Sequence, residues 1–172
     1  MRVGSAVHGI VLGSGRPIAL WTGGRRFGKT WDAFCDEHAD DLILTPKQYD
    51  LATAMAGSVM ACPEAAGLFE GRRECRAEWE LAGFHCAGTP DVAGEGFITD
   101  LKTTCDASPE RFIRDAMRRF YHVQLAWYMD GLNWAATRRG EHEEVLSAFL
   151  VAVESKPPHV VTVFELGHDA LD

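Results

Sequence analysis

The chain lacks any long apolar run. The stretch that follows Arg2 is broken by Gly4, His8 and Gly13, so neither a signal peptide nor a membrane span is expected. Paired cysteine spacing is missing as well. Cys35, Cys62, Cys75, Cys86 and Cys105 are odd in number, and no two lie nearer than Cys75 and Cys86, which excludes an iron–sulfur cluster and a zinc ribbon and fits reduced thiols in a cytoplasmic protein. Internal repeats and low-complexity segments are absent. Positive charge is scarce: 17 Lys and Arg against 25 Asp and Glu give a formal net charge of −8. That balance runs against an extended nucleic-acid coat, because affinity for phosphate comes from clustered cations.

What is present is a globular composition, with 172 residues, 47% hydrophobic and 24% charged, enough for one domain with its own core. The charges are also segregated. Acidic residues gather at Asp32 to Asp41 and Glu141 to Glu144, and cations at Arg25-Arg26, at Arg72, Arg73 and Arg76, and from Arg111 to Arg119. Arg111, Arg114 and Arg118 recur at i, i+3 and i+7, on one face of a helix. Such a face either grips a DNA backbone or is a solvated surface.

The most informative stretch is Thr89-Pro90-Asp91, followed by Asp100-Leu101-Lys102 and then by Gln124 and Tyr128. Hydrolysing a phosphodiester calls for a hard divalent cation, which takes carboxylate oxygens, and Asp91 and Asp100 supply them. Side chains alternate along a strand, so Lys102 projects beside Asp100 while Leu101 faces the core. An ammonium there would hold the attacking water, lower its pKa or stabilise the transition state. The β-branched and aromatic run Phe97 to Thr103, with Gly94 to Gly96 before it, predicts a hairpin with Phe84 to Asp91. Gln124 and Tyr128 are four apart on a predicted helix and share one side of it.

These segments, with Val153-Glu154-Ser155-Lys156 downstream, resemble the PD-(D/E)xK nuclease superfamily, and within it the exonuclease VIII or RecE-type domain. Gly4-Ser5-Ala6-Val7-His8 is similar to the family's upstream helix, whose histidine is a metal ligand in the related group. The resemblance implies a restriction-endonuclease-like α/β core, a mixed central β-sheet flanked by helices. It implies Mg²⁺ or Mn²⁺ held by His8, Asp91, Asp100 and the Leu101 carbonyl, with Lys102, Gln124 and Tyr128 completing the catalytic set. The implied activity is 5′→3′ exonuclease digestion of double-stranded DNA ends, serving phage-type DNA recombination beside a single-strand annealing protein, by a homo-oligomer. The family pattern continues past both ends of this chain, which leaves room for another reading, a DNA-binding relic without activity.

A competing motif is Gly23-Gly24-Arg25-Arg26-Phe27-Gly28-Lys29-Thr30, which fits the phosphate-binding loop of an ATPase between a strand at Pro17 to Trp21 and a helix at Trp31 to His38. Against it stand the bulky Arg25-Arg26 pair and the absence of a convincing magnesium-holding strand end. Elsewhere the pattern predicts helices over Val3 to Leu12, from an N-cap and proline at Thr45-Pro46 to Cys62, over Glu64 to Phe69, from an N-cap and proline at Ser108-Pro109 to Met117 and over Tyr121 to Asn133. Strands are predicted at Cys75 to Leu81 and Phe84 to Gly88, able to pair through an Ala82-Gly83 turn, and at Ser147 to Val153 and Val160 to Leu166, the last two flanking the catalytic hairpin. Glu78 is either a further site carboxylate or, since Glu74, Glu78 and Glu80 cannot all face one site, an exposed strand residue.

Overall fold

A computed structural model of the chain describes residues 2–140 and 144–167; of the acidic group at Glu141 to Glu144, the first three residues lie outside it. The N-terminal part runs α1 (Arg2–Leu12), β1 (Ile18–Leu20), α2 (Lys29–Glu37), β2 (Leu42–Leu44), α3 (Pro46–Ala61) and α4 (Pro63–Ala66), which passes into a 3₁₀ turn at Gly67–Phe69. Then come β3 (Arg72–Arg73), β4 (Ala77–Leu81), β5 (Phe84–Gly88), β6 (Val92–Ala93), β7 (Phe97–Thr104), α5 (Pro109–Arg118), α6 (Tyr121–Arg139), β8 (Ser147–Glu154) and β9 (Val161–Leu166). None of the described helices is long and apolar enough to cross a membrane.

The central sheet has the order β3-β6-β7-β8-β9, parallel only between β7 and β8. It is covered on both faces. On one side Leu101, Val151 and Val153 pack with Val7 and Val11 of α1 and with Met55 and Val59 of α3. On the other, Ile98, Leu150 and Ala152 pack with Phe112 of α5 and with Leu125 and Leu132 of α6. Burial on both faces explains the nearly unbroken apolar sequence of β8, the mark of a central parallel strand. Thr45 caps α3 as the sequence suggests: its hydroxyl accepts from the Gln48 amide, and the Gln48 side chain accepts from the Thr45 amide in return, a reciprocal capping box.

Three expectations need correction. Phe84–Gly88 does not form the catalytic hairpin with β7; it pairs only with β4, as the Ala82-Gly83 turn suggests, in a separate two-stranded sheet, and Val92 and Ala93 alone pair with β7 on that side, opposite Thr99 and Ile98. The Thr89-Pro90 step makes the difference, since proline donates no ladder hydrogen bond and breaks the strand before Asp91. The last two strands do not both flank β7, because β9 pairs antiparallel with β8 and lies beyond it. The Ser108 side chain does not cap α5; its hydroxyl donates to Asp106 Oδ1 at 2.6 Å.

The β4–β5 hairpin is fastened to α6. Trp79 lies 4.9 Å from Trp127, whose indole N–H donates to the Ala87 carbonyl, and the Trp79 ring rests on the bare Cα of Gly131, where a Cβ would come within 2.4 Å of it. Trp79 is 2% exposed and cannot retreat. Gly131→Ala gains about 1 kcal/mol of helix propensity but overpacks this contact by roughly 1–3 kcal/mol. We therefore expect it to lower the melting temperature, a result that thermal denaturation followed by circular dichroism would check.

Candidate metal-dependent catalytic site

The site is built where the short strand β6 stops. Val92 is its last residue facing β7, opposite Thr99, so from Asp100 onward that edge of β7 has no strand beside it. Residues of a strand send their N–H and C=O groups alternately to either side. Phe97 and Thr99 face β6, and Leu101 faces the same side with nothing of the ladder opposite it. Its amide is taken instead by the Asp91 carboxylate, with Oδ2 accepting at 2.7 Å. A buried N–H must find a partner, and this one fixes Asp91 beside Asp100. The Leu101 carbonyl opens to that same edge, while its side chain is fully buried in the core.

Around this edge the sheet and two helices, α1 and α6, converge. His8, from α1, sets Nδ1 3.2 Å from Asp91 Oδ2. Asp100 is 3% exposed and forms an ion pair with the Lys102 ammonium. Lys102 also donates to Gln124 Oε1 at 3.1 Å and lies 4.4 Å from the centre of the Tyr121 ring. The Gln124 amide in turn donates to the Tyr128 hydroxyl at 2.7 Å, leaving the phenol proton free to be given onward. Tyr128 fits because Gly88 has no side chain; a Cβ there would stand 2.6 Å from the ring. Tyr121 is a contact the sequence reading missed. A lysine two residues past a strand carboxylate, with an aromatic one helical turn before the glutamine, is the signal that could have found it.

The electrostatics are those of a site that wants a cation. Burial, and then the charge of Asp91, push the Asp100 carboxyl up to about 6 despite the Lys102 ammonium. Burial works against a charged His8 ring, but the hydrogen bond to Asp91 and the charges of Asp91 and Asp100 outweigh it and raise the imidazole above its ordinary value. Burial likewise raises the Tyr128 phenol, keeping it protonated. Two carboxylates and an imidazole are the donor types a divalent ion accepts. Among the described residues they do not already form a cage of three acidic, histidine or cysteine side chains, because Asp100 is drawn to Lys102 while His8 and Asp91 pair together. A cation would replace those internal partners.

Other candidates stand apart. Arg111, Arg114 and Arg118 share the exposed face of α5, and two carry acidic neighbours: Arg111 with Asp106 at 3.8 Å and Arg118 with Asp115 at 3.4 Å. Glu78 lies on the outer face of β4, paired with Arg76 and His85. Arg73 donates to the Leu12 carbonyl at the end of α1, where a cation satisfies a helix terminus. The Gly23 to Thr30 loop gives no phosphate cradle within a large sheet: β1 is three residues long and pairs only with β2. Arg26 donates to Gln48, Arg25 covers Phe27, and the Trp21 indole donates to the Gly24 carbonyl.

The whole chain, residues 1–172, matches the model of a PDDEXK-like domain of unknown function (DUF3799). It belongs to that family. PDDEXK nucleases use divalent metals, in keeping with the donor set above. Among solved structures, a "Putative exonuclease" from Eubacterium rectale superposes with a TM-score of 0.67 at 17% identity, covering 98% of this chain and 59% of that one. The protein SSO0001 aligns with a TM-score of 0.39 at 16% identity over 83% of this chain and 64% of that one. No curated protein matches the chain.

The raised Asp100 carboxyl makes a prediction for the metal-free protein. The unfolded carboxyl ionises near 3.9 and the folded one near 6, so stability is lost as pH rises through that window, and the whole cost is present above it. Asp100→Asn removes the charge. We expect it to raise the melting temperature in EDTA by a few degrees at pH 7.5, on the order of 1–2 kcal/mol, and by less at pH 4.5. An equal effect at both pH values would refute the buried-charge account.

Proposed function

We propose that this chain is a divalent-metal-dependent deoxyribonuclease that hydrolyses phosphodiester bonds at the open edge of β7. The observation that carries the reading is the convergence of His8, Asp91, Asp100 and Lys102 on that edge, with Asp91 pinned to the Leu101 amide. His8, Asp91, Asp100 and the Leu101 carbonyl would hold Mg²⁺ or Mn²⁺. A bound ion supplies the Lewis acid for the scissile phosphate and acidifies water at neutral pH. Lys102 is the ammonium paired with Asp100. Freed from Asp100, it orients the attacking water or meets charge on the phosphoryl oxygens. Gln124 keeps the ammonium aimed, since its amide is committed at both ends, to Lys102 and to Tyr128. Arg111, Arg114 and Arg118 would track the DNA backbone.

The finer reading is a RecE-type exonuclease working 5′→3′ from double-stranded DNA ends, as a homo-oligomer with a single-strand annealing protein, in recombination of phage origin. It rests on the Gln124 and Tyr128 spacing and on the His8 helix; the E. rectale protein named as an exonuclease supports only the fold beneath it.

The test is degradation of end-labelled linear duplex DNA in Mg²⁺, Mn²⁺ or EDTA. Metal-dependent cutting should fall at least about 100-fold in Asp100→Ala and in Lys102→Ala, and the labelled end reports polarity. DNA that is bound but uncut in every metal would overturn the enzyme reading in favour of a DNA-binding relic. Lys29→Ala should cut as the parent does; its loss of activity would revive the phosphate-loop reading.

A further inference from the structure

A cleft of about 840 Å³ opens between α1, the β1–β2 pair and the start of α3, and His8 forms part of its wall. It therefore adjoins the carboxylate site, since the same imidazole reaches Asp91. The cleft has the volume of a pocket that encloses a small organic molecule, and its lining shows which kind. Ile10, Leu20 and the ring of Tyr49 present apolar surface, 37%, 42% and 37% exposed. Arg16 lies on the rim, but its Nε and one Nη donate to the carbonyls of Ala39, Asp40 and Asp41 at 2.6–2.9 Å. This cation braces the wall and is not aimed at a ligand. The lining also holds Ser5, Ser14 and one carboxylate, Glu74. It sits in the left-handed region at φ 47°, uncommon for a residue with a side chain, and its amide donates to the Asp91 carbonyl at 3.0 Å. A strained residue tied to a catalytic one is the kind of outlier that functional sites retain.

Apolar faces, an aromatic ring and a carboxylate, with Arg16 engaged by carbonyls and His8 turned to Asp91, do not suit a phosphate. They suit the face and the amino edge of a nucleobase, which stacks on aromatic rings and offers N–H donors to carboxylates. We propose that this cleft is a base-binding subsite: the nucleotide adjoining the scissile phosphate enters it unpaired, its base stacked on Tyr49 and its exocyclic amino group turned to Glu74. The inference rests on the nuclease reading for its substrate and adds to it. A base in this cleft is out of the duplex, so the enzyme would act on a single-stranded or frayed end. Adenine, cytosine and guanine, which carry amino groups, would be favoured over thymine.

The test uses single-stranded oligonucleotides carrying 2-aminopurine at the 5′ or the 3′ terminal nucleotide, titrated with the full chain in EDTA and in Ca²⁺. The wild type should change the probe's fluorescence at one end. Tyr49→Ala should lose that change and bind about tenfold more weakly, while Tyr49→Phe, which keeps the ring, should retain both. Glu74→Gln should narrow the preference for a terminal adenine or cytosine over thymine. No fluorescence change with the wild type at either end, or equal behaviour of wild type and Tyr49→Ala, would overturn the proposal. Cutting is scored separately. A protein that passes these titrations but cuts nothing keeps the base subsite and loses the nuclease reading; one that cuts with the same KM in wild type and Tyr49→Ala does the reverse.

Discussion

The hydrogen bond from the Leu101 amide to the Asp91 carboxylate is the contact on which the rest of the site depends. It exists because β6 is only two residues long and leaves the next stretch of β7 without a neighbour. A full strand there would satisfy Leu101 through the ladder and shut the edge. The short one leaves a buried donor that a carboxylate must answer, and answering it places a second negative charge beside Asp100. Proline at position 90 helps to keep the strand short, since it cannot take part in a ladder as a donor.

The same arrangement carries a cost in free energy. Asp100 sits almost wholly out of solvent on the α6 side of the sheet, and its neighbours divide between one that relieves it, Lys102, and one that opposes it, Asp91. The Lys102 ammonium is shared among a carboxylate, an amide oxygen and an aromatic face. It is thus a provisional counter-ion in the position a stronger cation would claim. Charge held in low dielectric is costly without such a partner, and functional sites commonly trade stability in this way. The rigid part is supplied elsewhere, by β8 buried between two helical layers and by the tryptophan pair that clamps the β4–β5 hairpin to α6.

Local signals in the chain were reliable where the physics is local. The N-cap at Thr45, the proline starts at Pro46 and Pro109, the i, i+4 spacing of Gln124 and Tyr128 and the Ala82-Gly83 turn all depend on residues within one or two turns of one another, and each appears in the fold. Pairing between strands was harder. The segment from Phe84 to Asp91 has two possible partners, and the break at Thr89-Pro90 divides it without choosing which strand its first part joins. Packing of Trp79 and Trp127 does, by drawing the first part of the segment onto β4 and away from β7. Arginines were harder still. Arg16, Arg26 and Arg73 have the composition of a nucleic-acid surface, yet each donates to oxygens of the protein itself, because backbone carbonyls at loop and helix ends, and for Arg26 the Gln48 side chain, compete for guanidinium groups as phosphates would.

By itself the sequence determined the local elements and the chemical character of the site: two carboxylates and a lysine set on or beside a strand, a glutamine and tyrosine on one helix face, and a histidine in the first helix. These follow from periodicity, turn chemistry and the alternation of side chains along a strand. Only the tertiary structure decided that β6 would stop at Val92, that Asp91 would answer the Leu101 amide, that Lys102 would lie against Tyr121, and that the cleft beside His8 would be walled by Tyr49 and Glu74. The reason is physical. Each of these depends on which donors and surfaces remain unpaired after distant segments have packed, and that remainder is a property of the whole fold.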